Sequence, residues 1–293
     1  MAEFVVGMGE VLWDMLPDGK KIGGAPANFA YHVSQFGLPG CAVSAVGNDE
    51  LGTEILTELT AKEINNVIAV VPFPTGTVQV KIDEDGIPNY DIKENVAWDN
   101  IPYTPELKRL AQNTRAVCFG SLAQRSPVSR ATINSFLDDM PATDDTLIVF
   151  DINLRQDFFH PERLQNSMHR CNILKINDEE LMILGKMFEF IETSAEELCR
   201  RILIEYNLKI LILTCGINGS YVFTKDNMYF QPTPEVEVAD TVGAGDSFTA
   251  AFIASLLRGK TIPQAHSAAV RTSAYICSQN GAMPVLPDYI LNE

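Results

Sequence analysis

The chain has 293 residues, of which 46% are hydrophobic and 20% are charged, an ordinary composition for a globular protein. Its length can bury a large core, either in one α/β domain or in two smaller ones. A formal net charge of −16 disfavours nucleic acid or an anionic membrane surface as a partner.

Targeting and redox signals indicate the compartment. The sequence has no apolar run with the length of a signal core or of a membrane span, so we expect a cytoplasmic protein. The six cysteines are scattered, mostly in apolar segments, which favours reduced core residues over disulfides or zinc ligands. The four histidines show no spacing typical of a metal site.

The first predicted element is a buried strand over residues 4–9, which residues 10–14 are expected to continue with an acidic side chain at each end. This strand contains a Gly-x-Gly pair. However, Leu12 stands where a dinucleotide fingerprint has its third glycine, and no helix follows immediately. The pattern therefore disfavours a nicotinamide-dependent oxidoreductase.

A glycine turn comes next. Gly23 and Gly24 lead into an amphipathic segment that predicts a helix over 26–35, with Asn28 in its first turn. A strand over 41–46 and a helix over 49–59 continue this β-α-β-α alternation. The alternation predicts a parallel sheet that is covered by helices.

The next segment has the sequence pattern of a β-hairpin. Residues 77–82 alternate with period two, 85–86 supply a turn, and 89–92 return. An alternating hairpin inserted into a βα pattern predicts a separate small sheet.

The parallel pattern resumes with a strand from residue 116, a helix over 129–137 and a strand over 146–150. The polar string from Asp151 to Arg155 follows that strand, at the place where open α/β sheets bind ligands. For Arg155 taken alone, an ion pair with Asp157 in the same loop is a fair alternative.

Two further strands, over 172–176 and 209–214, also end in polar or small residues. Asn177 and Glu180 lie three apart at a helix start, a spacing that suits either a capping box or the positioning of water around Mg²⁺. From the sequence alone we favour the capping box. The glycines that follow Thr214 are, taken alone, best explained as a hairpin turn.

The string from Asp240 to Asp246 precedes an apolar helix. Its glycines let the backbone approach a ligand, and the free amides of the helix's first turn attract an anion such as phosphate. A carboxylate at position 246 would repel a bound phosphate, so its presence there indicates a chemical role. One such role is general base for a hydroxyl that attacks phosphorus. The alternative is that Asp246 merely favours the helix start.

With both glycine strings in view, the chain resembles the ribokinase-like (PfkB) family of carbohydrate kinases. The family signatures are Gly-Gly-x-x-x-Asn, here from Gly23 to Asn28, and Asp-Thr-x-Gly-Ala-Gly-Asp, which matches completely from Asp240 to Asp246. The resemblance implies one α/β domain over 1–293. Its central, mostly parallel sheet would have helices on both faces and a small β-sheet lid over about 12–24 and 75–98.

The resemblance also implies an activity, ATP-dependent phosphorylation of a sugar hydroxymethyl group with Mg²⁺. The implied sugar site comprises Asp14, Gly23, Gly24, Asn28 and Arg155. The implied catalytic residues are Asp246 as base and the backbone of Gly243, Ala244 and Gly245. The implied nucleotide site comprises Asn177, Thr214, Gly216, Gly219 and Gly245, with Glu180 holding Mg²⁺ through water. Asp240 and Val242 correspond to positions where many members hold a monovalent cation, and whether this protein needs K⁺ is left open.

The substrate prediction rests on three strings that look most like those of fructokinases: Gly9-Glu10, residues 95–99 and residues 151–155. We therefore expect fructose, with ribose or 2-keto-3-deoxygluconate as alternatives and a sugar-binding sensor as the non-enzymatic one. A homodimer through the lid is expected. Trp98 could pack near the lid or the sugar, but we favour core packing, and we expect Asp99 to be an ordinary loop acid.

Overall fold

The computed structural model describes residues 3–16, 19–82, 88–191 and 194–291, so the turn predicted at 85–86 lies outside the described residues. The strands, in chain order, are β1 Phe4–Met8, β2 Leu12–Leu16, β3 Gly19–Gly23, β4 Gly40–Gly47, β5 Asn65–Val71, β6 Thr77–Ile82, β7 Pro88–Ile92, β8 Thr114–Phe119, β9 Leu147–Asp151, β10 Ile173–Asn177, β11 Ile210–Thr214, β12 Ser220–Phe223 and β13 Met228–Gln231. The helices are α1 Ala25–Gln35, α2 Glu50–Ala61, α3 Pro105–Gln112, α4 Pro127–Asp139, α5 Pro161–Arg170, α6 Asp178–Met187, α7 Ala195–Glu205, α8 Ala244–Leu257, α9 Ile262–Cys277 and α10 Asp288–Leu291.

The large sheet has the order β13-β12-β11-β10-β9-β8-β1-β4-β5. Its strands are parallel except for β12 and β13, which add an antiparallel edge. The chain order reverses between β1 and β8, and in open α/β sheets the crevice beyond the carboxyl ends at such a point is where ligands bind. The predicted fold class is confirmed.

Helices cover both faces of the large sheet. Successive side chains of a strand point to opposite faces, so each strand contributes to the core on both sides. In β8, Val117 and Phe119 belong to a core packed by helices α3 to α7, whereas Ala116 and Cys118 belong to a core packed by α1, α8 and α9. Helix α2 and the outer side of α1 enclose a third group around β4. These cores hold the carboxyl ends of the strands in fixed positions.

A separate four-stranded sheet has the order β3-β2-β6-β7. The expectation for residues 10–14 is wrong, because these residues do not continue the opening strand. Strand β1 ends at Met8, Gly9 adopts a φ of 152°, and the chain crosses into β2 of the small sheet. The acidic residues at positions 10 and 14 therefore lie on different parts of the fold.

Strand β5 was not predicted from the sequence. It begins with two asparagines, which resemble turn residues, and its Val70 is 56% exposed at the edge of the large sheet. Partial exposure of an edge strand removes the regular alternation that would reveal it.

The side chain of Trp98 is buried, which confirms core packing, but the expectation for Asp99 is wrong. Asp99 is also buried and accepts hydrogen bonds from Arg125 at 2.8 and 2.9 Å. The Arg125 guanidinium lies between the rings of Trp98 and Phe158, at 4.1 and 4.4 Å from their centroids. Asp99 thus neutralises a buried arginine and anchors the segment that follows the small sheet.

The six cysteines are unpaired, four of them buried and two half-buried. Within the described ranges, every helix is too short or too polar to cross a bilayer. In the same ranges, no cluster of three or more His, Cys, Asp or Glu side chains is arranged to hold a metal ion.

Candidate active site

The two glycine turns predicted from the sequence meet at the carboxyl edge of the large sheet. Gly24 precedes α1 and Gly243 precedes α8, and the two helices pack against each other. The Asn28 side-chain amide donates a hydrogen bond from Nδ2 to Oδ2 of Asp246 at 2.7 Å. The first turns of both helices therefore face one common site.

Gly24 is required at its position for two reasons. Its φ is 112°, and a Cβ there would lie 2.3 Å from the Glu10 carbonyl oxygen. The absence of a side chain lets the start of α1 lie directly against the crossover from β1 to the small sheet. This close approach fixes Asn28 relative to Glu10.

The first turn of α8 presents unpaired backbone donors. The first hydrogen bond of the helix runs from the Ser247 amide to the Gly243 carbonyl at 2.9 Å. In the described part of the chain, the amides of Gly245 and Asp246 have no protein acceptor. With the positive end of the helix dipole behind them, they form an anion-binding turn.

The Asp246 carboxyl is half-buried beside these amides. Burial is the main reason that its pKa rises to about 6, and the Asp151 carboxylate adds to the rise. The hydrogen bond from Asn28 and the positive charges of Lys175 and Arg155 oppose it. The group is therefore mostly ionised at neutral pH, and its pKa is close enough to neutrality for efficient proton transfer.

Glu10 is a residue of the site that the sequence reasoning did not assign. Its side chain is buried, and its Oε2 has no partner in the described structure. Burial chiefly raises the pKa of Glu10 to about 7, and the Asp246 carboxylate contributes. Glu10 and Asp246 line the same small cavity between α1 and α8. The available signal was an acidic residue directly after a buried strand and a glycine.

The small sheet contributes Asp14 to the site. Glycine at position 23 leaves room for the Asp14 carboxyl group, because a Cβ there would lie 2.3 Å from Oδ2 of Asp14. Burial raises the pKa of Asp14 to about 6, and the Arg155 guanidinium partly opposes this rise. The positive charge of Arg155 lowers the pKa of Glu10, Asp14 and Asp246 alike. The alternative of an ion pair between Arg155 and Asp157 is not observed in these described residues.

The residues predicted for a nucleotide lie on two neighbouring strands. Asn177 at the end of β10 and Thr214 at the end of β11 are direct partners in the parallel register. After Thr214, Gly216 and Gly219 form a tight turn into β12, the hairpin that the sequence suggested. These residues form a second group along the same carboxyl edge as Asp246.

Asn177 and Glu180 form the capping box. The Glu180 amide donates to Asn177 Oδ1 at 2.8 Å, and the Asn177 amide donates to Glu180 Oε2 at 2.9 Å. The other oxygen, Oε1, accepts from the Leu154 amide at 2.8 Å. Each oxygen of this buried carboxylate keeps a free lone pair. That donor set fits Mg²⁺ held through its water shell and substrate phosphates, but not an all-protein cage.

Asp240 joins the turn before α8 to the loop after α9. Its Oδ1 accepts from the Val242 amide at 3.0 Å, and its Oδ2 accepts from the Gly281 amide at 3.1 Å. Nearby, the buried His32 ring contacts the Ala282 carbonyl at 2.8 Å, which ties the same loop to α1. The anion-binding turn is thus supported from both sides.

An anion-binding helix turn with an adjacent carboxylate base defines a class of protein, the phosphotransferases that use an alcohol as acceptor. The profile of the pfkB family carbohydrate kinases matches residues 18–288, and the chain belongs to this family of sugar kinases.

An ATP-dependent 6-phosphofructokinase of Thermoanaerobacterium thermosaccharolyticum is 28% identical over 97% of this chain and 91% of its own. A fructokinase of Rhizobium leguminosarum bv. trifolii is also 28% identical, over 85% of this chain and 78% of its own.

A solved structure gives the same result for the fold. An uncharacterised sugar kinase from Pyrococcus horikoshii in complex with ATP is 25% identical to this chain. It superimposes with a TM-score of 0.76 over 94% of this chain and 93% of its own.

Proposed function

We propose that this sugar kinase transfers the terminal phosphoryl group of ATP to a hydroxymethyl group of fructose. The observation that carries the proposal is the placement of the Asp246 carboxylate beside the free amides of its own helix turn. A base for the attacking hydroxyl and donors for the transferred group thereby occupy one site.

The sugar pocket is assigned from acceptors that lack a donor. Oδ1 of Asn28 and Oε2 of Glu10 are both buried and unpartnered within the described structure. A buried acceptor without a donor is costly, and sugar hydroxyl groups would supply the missing hydrogen bonds. Asp14, Gly23, Gly24 and Arg155 complete the pocket in this assignment.

Phosphoryl transfer then follows from the geometry. The sugar hydroxyl gives its proton to Asp246 as its oxygen attacks the terminal phosphorus of ATP, and the bond from that phosphorus to the bridging oxygen breaks, so that ADP leaves. The backbone of Gly243, Ala244, Gly245 and Asp246 stabilises the charge on the transferred group. On the nucleotide side we place Asn177, Thr214, Gly216 and Gly219. Mg²⁺, when bound with ATP near Glu180, neutralises charge on the phosphates.

The small sheet is proposed to act as a lid over residues 12–24 and 75–98, and as the contact surface of a homodimer. Asp14 on β2 supports the lid role, because this sheet contributes a carboxyl group to the pocket. A closed lid excludes water, which otherwise competes with the sugar as phosphoryl acceptor. A K⁺ ion beside Asp240 and Val242 is part of the same proposal.

A second candidate substrate is fructose 6-phosphate, because the phosphofructokinase relative matches nearly the whole chain. Against it, Glu10 and Asp246 line the same small cavity, and the ionised Asp246 carboxylate there would repel a sugar that already bears a phosphate. Charge therefore favours a neutral sugar.

The test is an assay of ADP release with fructose, fructose 6-phosphate, ribose and 2-keto-3-deoxygluconate at matched concentrations. We expect the highest kcat/KM with fructose. Equal or greater kcat/KM with any other sugar would overturn the choice of fructose. Sugar binding without ADP release would indicate a sensor instead of an enzyme.

A further inference from the structure

Lys175 is a buried cation that the mechanism above does not use. It lies in β10, where its register partner on β9 is Asp151. Its Nζ donates to Oδ1 of Asp151 at 3.1 Å, and both side chains are about nine-tenths buried. Oδ2 of Asp151 accepts from Thr249 Oγ1 of α8 at 3.1 Å. One carboxylate thus connects the lysine in the sheet to the helix that carries Asp246.

The ammonium group lies directly beneath the anion-binding turn. A Cβ at Gly245 would stand 3.1 Å from Nζ of Lys175, so glycine at this position leaves room for the lysine. The positive end of a helix dipole disfavours a cation, and burial disfavours any charge. A pair of apolar side chains would stabilise such a position as well as an ion pair does. A lysine here therefore points to a role for its charge.

Lys175 remains protonated in this environment. Burial alone would lower its pKa, but Asp151, Glu180 and Asp246 outweigh burial and raise it. These carboxylates belong to β9, α6 and α8, so acidic groups surround the ammonium from three elements. The positive charge is consequently permanent across the working pH range of the protein.

The positive charge of Lys175 offsets an electrostatic repulsion that involves Asp246. Asp246 must be ionised to act as base, yet its negative charge is next to the place where a negative phosphoryl group arrives. Asn28, Lys175 and Arg155 favour the ionised form of Asp246, whereas burial and Asp151 oppose it. Among these groups, only Lys175 is a buried cation beneath the Gly245 turn.

We propose that Lys175 is a positioning residue for phosphoryl transfer, whose buried ammonium offsets the Asp246 carboxylate and adds positive charge beneath the amides of Gly245 and Asp246. This inference rests on the proposed function. Lys175 acts through Asp246 and the helix turn and need not touch the sugar. The inference also gives Asp151 a task, which is to hold the ammonium in place through one oxygen and α8 through the other.

The test compares the wild type with a variant that removes both charges, Lys175→Met combined with Asp151→Asn. Lys175→Met alone would leave a buried carboxylate unpaired and destabilise the fold, whereas the double variant leaves neither member of the pair unpaired. Asp151→Asn alone is the matched reference, because it keeps the lysine. For the double variant we expect kcat to fall by about 10- to 100-fold, with KM for fructose within about threefold of the wild type. We expect the acid limb of its kcat profile to lie at higher pH than that of Asp151→Asn alone, because those two proteins differ only in the Lys175 cation, which lowers the pKa of Asp246. Asp151→Asn alone should move the acid limb below that of the wild type, because the Asp151 carboxylate raises the pKa of Asp246.

A second measurement does not depend on turnover. Carboxyl ¹³C NMR of Asp246 without substrates should show its titration at higher pH in the double variant than in Asp151→Asn alone. Neutralising an ion pair outside the site, with Glu196→Gln and Arg200→Gln in α7, should leave both kcat and that titration unchanged. A folded double variant at positions 151 and 175 with the kcat and the Asp246 titration of Asp151→Asn would overturn the inference. A wild type that phosphorylates no sugar would instead overturn the proposed function.

Discussion

The Asn28 amide and the Asp246 carboxylate, 218 positions apart in the sequence, are joined by a hydrogen bond of 2.7 Å. This bond connects the helix that follows strand β3 of the small sheet to the helix whose first turn has free backbone amides. It also orients the carboxylate, because one of its oxygens is held by Asn28 and the other is left for the substrate.

Replacing Asp246 by Asn should reduce kcat by about 10²- to 10⁴-fold, because an amide cannot accept the proton of the sugar hydroxyl. Sugar binding should largely survive, since the shape of the side chain is kept. Steady-state kinetics and calorimetric titration with fructose measure the two effects separately. Asp226→Asn, at an exposed acid in the turn between β12 and β13, is the matched control. Unchanged turnover in the Asp246 variant would remove the mechanism.

Activity should depend on pH through the same carboxylate. Its pKa is raised to about 6, and the base works only when ionised, so kcat should fall as the pH decreases through that value. Asn28→Ala removes a hydrogen bond that favours the ionised form, so the acid limb should move to higher pH. The measurement is kcat against pH for both proteins at saturating substrate. An acid limb at the same pH in both would contradict the role given to Asn28.

Stability should depend on pH through Glu10, whose pKa rises from 4.5 in a free chain to about 7 in the fold. Between these values the unfolded chain ionises readily while the folded protein keeps the proton, so the free energy of unfolding decreases as the pH rises through this window. The loss, complete above pH 7, amounts to about 3 kcal/mol.

Glu10→Gln should abolish that part of the loss, because the amide does not titrate. Urea unfolding at pH 5 and pH 8 gives the change for each protein, and comparing the two changes cancels the contribution of other groups. If wild type and variant lose the same stability between pH 5 and pH 8, Glu10 is not the group responsible.

Two glycines with positive φ, Gly37 and Gly24, allow the cost of backbone strain to be distinguished from the cost of a steric clash. At Gly37, after α1, φ is 73° and a Cβ would meet no atom within 4 Å, so Gly37→Ala should cost only about 1 kcal/mol of stability. At Gly24 a Cβ would collide with the Glu10 backbone. Gly24→Ala should therefore cost more stability and, by displacing Asn28, lower kcat/KM by about 10²-fold. Thermal melts and kinetics of both variants check this, and equal effects would be inconsistent with the steric argument.

Local signals were sufficient for much of the fold. The capping box of Asn177 and Glu180, the glycine turn before α1 and the apolar strands β10 and β11 were each predicted near their observed bounds, because neighbouring residues determine them. The predictions were wrong where contacts between residues far apart in the sequence determine the structure. Residues 10–14 cross to another sheet, and Asp99 is buried by an arginine from a later segment.

The sequence by itself determined which short strings form turns and helix starts, and it predicted an anion site at positions 243–246, because backbone freedom and free amides are local properties of the chain. Only the tertiary structure decided which side chains meet there. Packing of α1 on α8 brought Asn28 to Asp246, and the parallel register of β9 with β10 placed the Lys175 charge beneath Gly245. The pKa values of Glu10 and Asp246 follow from that packing, since burial and the distances between charges exist only in the folded chain.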